Sequence, residues 1–142
     1  MERQREAGNA GIGGNMRAAV EVANRCRDVC LGTAVNYCLR EGGEHAEQAH
    51  LRLMLDCAEI CRTAGTFMLV DSPYHQDVCA VCAEICDDCA RECEDMEGME
   101  ACAQACRDCA ESCRQMADAE PHLQTAGAVA RARRRGSEAH DV

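Results

Sequence analysis

Cysteine is the residue in this chain whose number and spacing could do chemistry. Fourteen are present in 142 residues, and nine of them fall between Val78 and Cys113. They form two sets, Cys79, Cys82, Cys86, Cys89, Cys93 and then Cys102, Cys106, Cys109, Cys113, with gaps that alternate three and four. Residues three and four apart lie above one another on a helix, so each set is one helical face made of sulfur. Cys57 and Cys61 repeat the step earlier in the chain, and Cys26, Cys30 and Cys38 add a sparser run. An ordinary bundle seam would carry Leu or Val at these positions.

Three uses of such sulfur can be weighed. Disulfides require a Cβ geometry that neighbours on one helix face meet poorly, and disulfide scaffolds are loop-rich. Thiol redox catalysis needs one exposed, activated cysteine near a base or a helix N-terminus, and mid-helix seam positions do not offer that. Metal ligation is the use that needs many soft donors on facing walls. Zinc takes four ligands per ion, so 14 cysteines would hold about three or four ions in separate sites. Iron–sulfur proteins gather their cysteines on loops. Cu(I) accepts two or three sulfurs, and a thiolate can bridge two ions, so a continuous seam suits on the order of a dozen Cu(I) per chain. The uninterrupted periodicity favours multiple Cu(I) ions. A zinc or cadmium thiolate buffer is the first alternative and a metal-sensing regulator the second.

The elements that must position this sulfur read as four helices. The first runs from about Met16 to Arg40, with a seam of Met16, Ala19, Ala23, Cys26, Cys30, Thr33 and Tyr37, and Cys38 beside its end; Gly42 and Gly43 stop it. The second spans roughly Glu44 to Leu69, with seam residues His50, Met54, Cys57, Cys61, Ala64 and Met68. Asp71-Ser72-Pro73 then gives a stop and a restart, with Ser72 as cap and Pro73 in the first turn. The third runs from Pro73 to about Asp95 and the fourth from about Met99 to Glu120, with Gly98 at the turn between them. Short links make sequential helices antiparallel neighbours. The expected architecture is therefore an all-α, up-down-up-down four-helix bundle with a cysteine-lined core over residues 16–120. A flexible glycine-rich arm (1–15) precedes it and a basic tail (121–142) follows.

Antiparallel packing brings Asn36, Cys38, His50, Met54, Met96 and Met99 to one end. Thioether and imidazole donors there suit a port that hands ions inward, and His50, Met54, Met96 and Met99 join the 14 cysteines as candidate ligands. The other end collects Met68, Leu69, Val70, Tyr74, His75 and Met116 and reads as an apolar plug, with His75 a further possible donor. His45 reads as solvated.

Composition narrows the class. Formal charge is −10 and aromatics are 2% of the chain, so neither a nucleic-acid surface nor a conventional aromatic core is expected. The N-terminal MERQREAGNAGIGGNMRAAV has no continuous apolar stretch of the secretory kind, which points to reduced thiols in the cytoplasm. No apolar run reaches membrane-spanning length. No catalytic constellation stands out, and no enzyme is expected.

The phrases DCAEIC (56–61), DSPY (71–74) and VCAVCAEICDDCARECEDMEGMEACAQACRDCAESCRQMA (78–117) resemble the cytosolic branch of the bacterial copper storage proteins. The likeness covers roughly residues 45–118. It implies a cysteine-lined four-helix bundle that holds many Cu(I) ions, assembled as a cytosolic homotetramer, with copper donor or acceptor proteins as further partners. Helix 1 carries fewer cysteines than that family usually shows. His50 and Met54 occupy seam positions where its members can place cysteine or other ligands.

Overall fold

A computed structural model describes residues 12–119; the arm over 1–11 and the basic tail from 120 onward lie outside the described residues. Four long helices follow one another: α1 (Gly14–Thr33), α2 (Gln48–Leu69), α3 (His75–Glu94) and α4 (Glu100–Asp118). Helix α1 begins two residues inside the stretch expected to be arm. It does not stop at Thr33 but runs through a π-helical turn, Ala34–Cys38, into a last helical turn, Leu39–Glu41. Each helix packs against the one before and the one after, and α4 closes back on α1, so the four form a closed up-down-up-down bundle.

The turns are built where the backbone demands them. Gly42 and Gly43 have φ of +72° and +57°, a region open to glycine at no steric cost, and they end the first helix. A short 3-10 turn, Gly43–Ala46, follows, so α2 starts at Gln48 and not at Glu44 as the spacing suggests. Helix α2 closes with two bonds of the Schellman pattern: Ser72 N–H to the Phe67 carbonyl at 2.9 Å and Asp71 N–H to the Met68 carbonyl at 3.1 Å. Asp71 supplies the left-handed residue, φ +50°, that this pattern requires. The Ser72 side chain accepts the Tyr74 N–H at 3.1 Å within the turn, but α3 starts at His75, so Ser72 is not its N-cap and Pro73 lies ahead of its first turn.

The core contains little besides sulfur and alanine. All 14 cysteines are reduced and buried. Ala83 and Ala90 on α3, with Ala103 and Ala110 on α4, flank the thiols and are buried too. α3 and α4 make the most extensive helix–helix contact of the bundle. On the other side Gly65 of α2 lies so close to α1 that an added Cβ would sit 2.9 Å from the Asn24 Oδ1.

The seam of α1 differs from the expected one. Thr33 and Tyr37 are only half-buried, while Ala34 and Cys38 are buried in line with Cys26 and Cys30. Four residues of α-helix turn through about 400°, so steps of four drift about 40° each time. A π turn, hydrogen-bonded five residues on, holds more residues per turn and cancels part of that drift. Cys38 thus faces inward instead of sliding to the flank.

Candidate metal centre

Helices α1 to α4 place their thiols in one continuous ladder. Beside the α2–α3 link lie Cys79, Cys82, Cys109 and Cys113. Cys61 joins them, at 3.8 Å from Cys82 and 3.6 Å from Cys109. The middle is densest. Cys57 lies 4.0 Å from Cys26, 3.9 Å from Cys30, 3.7 Å from Cys86 and 3.8 Å from Cys106. Cys30 carries the ladder onward, 3.4 Å from Cys106 and 3.5 Å from Cys102. Cys89 and Cys93 meet Cys102 in the last thiol layer.

Four quartets have all their sulfurs within 4.8 Å of one another: Cys26, Cys30, Cys57, Cys106; Cys26, Cys57, Cys61, Cys86; Cys30, Cys89, Cys102, Cys106; and Cys61, Cys82, Cys86, Cys109. A metal–thiolate bond of about 2.3 Å places two sulfurs on one ion about 4.0 Å apart in a trigonal site and about 3.8 Å apart in a tetrahedral one. The ladder's spacings of 3.4 to 4.0 Å are therefore close to those of a filled core before any ion arrives.

The protons of this cluster are unevenly held. Cys57 and Cys102 sit well below the ordinary thiol value, chiefly through contact with Cys106, because a thiolate there accepts S–H donation from its neighbours. Cys106 is pushed well above it, chiefly by Cys102, and Cys61 likewise by Cys109. Closely packed thiols cannot all ionise at once, since each new anion repels the last. A cation placed among them removes that obstacle.

Cys38 stands apart from the ladder. Its Sγ lies 3.5 Å from His50 Nε2, 3.7 Å from Met54 Sδ and 3.7 Å from Met99 Sδ. Burial raises its pKa first, and the nearby Cys102 and Cys89 add to the rise. Cys38, His50, Met54 and Met99 come together as the spacing suggests. Met96 is buried in the same link but is not among the sulfurs that Cys38 contacts. Asn36, grouped with them in the sequence reading, is exposed on the outside of the π turn, because that turn carries Cys38 inward in its place.

This end of the bundle, read from the sequence as a port, is covered. The Tyr37 hydroxyl donates to the Glu97 carbonyl at 3.1 Å, and His45 Nε2 meets the same oxygen at 3.0 Å. The Tyr37 and His45 rings pack edge to face at 5.5 Å, and His45 leans on His50 in turn. Partial burial and the carboxylates of Glu41 and Glu97 raise the Tyr37 pKa, which keeps its hydroxyl a donor. Gly98 has φ +80°, and an added Cβ would lie 2.0 Å from the Tyr37 oxygen. Tyr37, His45 and the Glu97–Gly98 turn form a latch over His50, which is 2% exposed, and over Met54 and Met99, which are fully buried. His45, expected to be solvated, is half-buried and hydrogen-bonded. No local motif announces it, because its ring neighbours lie five and eight residues away and its hydrogen-bond partner 52.

The opposite end is less plugged than expected. Met68 is fully buried and Met116 half-buried, but Leu69, Val70 and Tyr74 are exposed. His75 Nδ1 lies 2.8 Å from the Ser72 carbonyl, which ties its ring to the turn.

The family model described as copper storage protein matches residues 13–118. This chain belongs to the copper storage protein family. A crystal structure of the Nmul_A1745 protein from Nitrosospira multiformis is 54% identical, with a TM-score of 0.73 over 75% of this chain and 97% of that one. The Cu(I)-bound copper storage protein BsCsp3 is 39% identical, with a TM-score of 0.67 over 72% of this chain and 98% of that one. A cysteine-rich protein of Bacillus subtilis, YhjQ, is 40% identical over 76 residues, 54% of this chain and 69% of its own length. The expectations of a cysteine-lined four-helix bundle and of this family both hold. Among the described residues no helix is long and apolar enough to cross a membrane.

Proposed function

We propose that this chain is a cytoplasmic Cu(I) store that holds many ions on its core thiolates and admits them past Cys38, with no catalytic role. The sharing of sulfurs between quartets carries the reading. Cys26 and Cys57 belong to two quartets, as do Cys30 and Cys106, and Cys61 and Cys86. No more than two of the four can be filled as separate tetrahedral sites without a shared sulfur, which would leave six cysteines unused. A bridging monovalent ion uses every rung. Each Cu(I) also offsets one thiolate, so a loaded core approaches neutrality, whereas divalent zinc or cadmium on the same set does not.

Anaerobic titration against a Cu(I) chelator of known affinity tests this. Saturation near a dozen ions per chain is expected, and saturation at only a few would favour the zinc or cadmium buffer. A metal-sensing regulator fits a chain of charge −10 poorly.

Cys38, His50, Met54 and Met99 supply one thiolate and three neutral donors, a weaker set than the thiolates beyond and suited to passing ions on. Replacing His50, Met54, Met96 and Met99 together should slow loading while leaving most capacity. An unchanged loading rate excludes the port.

Assembly as a homotetramer is supported by an apolar line on α1 and its continuation: Leu31, Val35 and Leu39, spaced by four, are 36, 52 and 54% exposed. Light scattering after gel filtration should give four chains, and a Leu31, Val35, Leu39 triple aspartate variant a smaller species.

A further inference from the structure

His50 is a buried imidazole with two different neighbours. Its Nε2 faces Cys38 Sγ at 3.5 Å. Its Nδ1 has no hydrogen-bond partner, and Glu92 Oε1 stands 3.5 Å from it, on α3. Among the described residues nothing else answers that nitrogen. A buried polar atom without a partner is costly, so an acceptor within reach is drawn to it. The Glu92 side chain is 46% exposed and so has room to turn. A shift of about 0.7 Å would bring the carboxylate from 3.5 Å to the roughly 2.8 Å of a charge-assisted N–H···O bond.

The consequence is a choice of tautomer. A neutral imidazole carries one N–H and one lone pair. If Nδ1 carries the hydrogen and donates to Glu92, Nε2 presents its lone pair to the cluster of Cys38, Met54 and Met99. If Nε2 carries it, the ring becomes a donor to the Cys38 sulfur and offers nothing to an incoming cation. Net charge is the same in both states. We infer that Glu92 is a positioning residue for the port: by accepting Nδ1–H it holds His50 in the tautomer whose Nε2 can ligate Cu(I). Ligating histidines commonly bond their second nitrogen to a carboxylate in this way, and loss of that partner weakens metal affinity by about 10–100-fold. The inference rests on the port reading above.

The test uses the full chain labelled with 15N-histidine, kept anaerobic. Long-range 1H–15N correlation spectra of the metal-free protein should show His50 as the Nδ1–H tautomer. Glu92→Gln, whose amide oxygen can still accept, should preserve it, and Glu92→Ala should shift the ring toward Nε2–H. On addition of one equivalent of Cu(I), the Nε2 resonance should move in wild type and in Glu92→Gln. In Glu92→Ala the first ion should bind about tenfold more weakly. The same tautomer in Glu92→Ala as in wild type overturns the role of Glu92, whether or not Cu(I) moves the resonance. A tautomer that follows Glu92, together with an Nε2 that ignores Cu(I), supports the Glu92–His50 bond and overturns the port.

Discussion

Cysteines in this core should not be worth equal amounts of copper, and two single substitutions expose the difference. Cys57 lies 3.7 to 4.0 Å from Cys26, Cys30, Cys86 and Cys106, on all three other helices, and belongs to two of the four quartets. Cys79 is equally buried but belongs to none and meets the ladder through Cys113. A bridging thiolate serves two ions, so Cys57→Ala should lower saturation by about two Cu(I), one through each quartet. Cys79→Ala should lower it by one at most. Both variants remove a similar small volume from a buried site, costing the metal-free protein about 1 kcal/mol, so folding does not separate them. The assay is anaerobic Cu(I) titration with a competing chelator, read with metal analysis of the saturated, desalted protein. Circular dichroism confirms that each variant keeps its helices. Equal losses from the two variants would refute a bridged ladder and would favour independent sites.

Three other outcomes are expected. Tyr37→Phe removes one of the two donors on the Glu97 carbonyl. At about 1 kcal/mol for the bond, the latch should open about fivefold more often, and stopped-flow uptake of the first Cu(I) should quicken accordingly; an unchanged rate would mean that the latch is not the barrier. Copper should raise the melting temperature, each site adding about 2.7 kcal/mol at a free-ion concentration 100 times its Kd. Equal melting curves with and without metal would contradict a core completed by its cargo. The raised Cys38 pKa, set mainly by burial, makes a contribution that is fully present below the ordinary thiol range and is lost as pH rises through the folded value. Urea unfolding of the metal-free chain should therefore show lower stability above about pH 9 than at pH 7, with a smaller drop in Cys38→Ala. A steeper drop in that variant would reverse the sign of the argument.

Much of the fold and most of the thiol ladder can be read from spacing alone, for a physical reason. Gaps of three and four specify a helical face whatever the side chain is, and α3 and α4 keep that step from Cys79 to Cys93 and from Cys102 to Cys113. The reading fails where the backbone leaves the α period. A strict three/four count puts Thr33 and Tyr37 on the seam of α1, and the π turn replaces them with Ala34 and Cys38. A signal was present: Cys26, Cys30, Ala34 and Cys38 are spaced by four throughout, a run that a straight α-helix cannot keep on one line. The latch was not legible. It joins Tyr37 and His45 to a main-chain oxygen at Glu97, and a carbonyl has no sequence signature. Leu69, Val70 and Tyr74 misled in the opposite direction, since apolar residues at a helix end need not turn inward.

The alanines beside the thiols carry one more consequence. Ala83, Ala90, Ala103 and Ala110 are buried beside the thiols of α3 and α4, and alanine is the smallest side chain that still favours a helix. Buried side chains of that size let helices approach closely, and the approach of the helices sets how far one sulfur stands from the next across the core. Calibre is thus a property of residues that never touch a metal. Silver(I) shares the softness of copper(I) but is larger, and it would have to pry these walls apart to be bridged in the same way. The ligands choose ions by chemistry and the alanines by radius. A methyl-by-methyl widening at Ala83 and Ala110 would shift the preference toward the larger ion while leaving every cysteine in place.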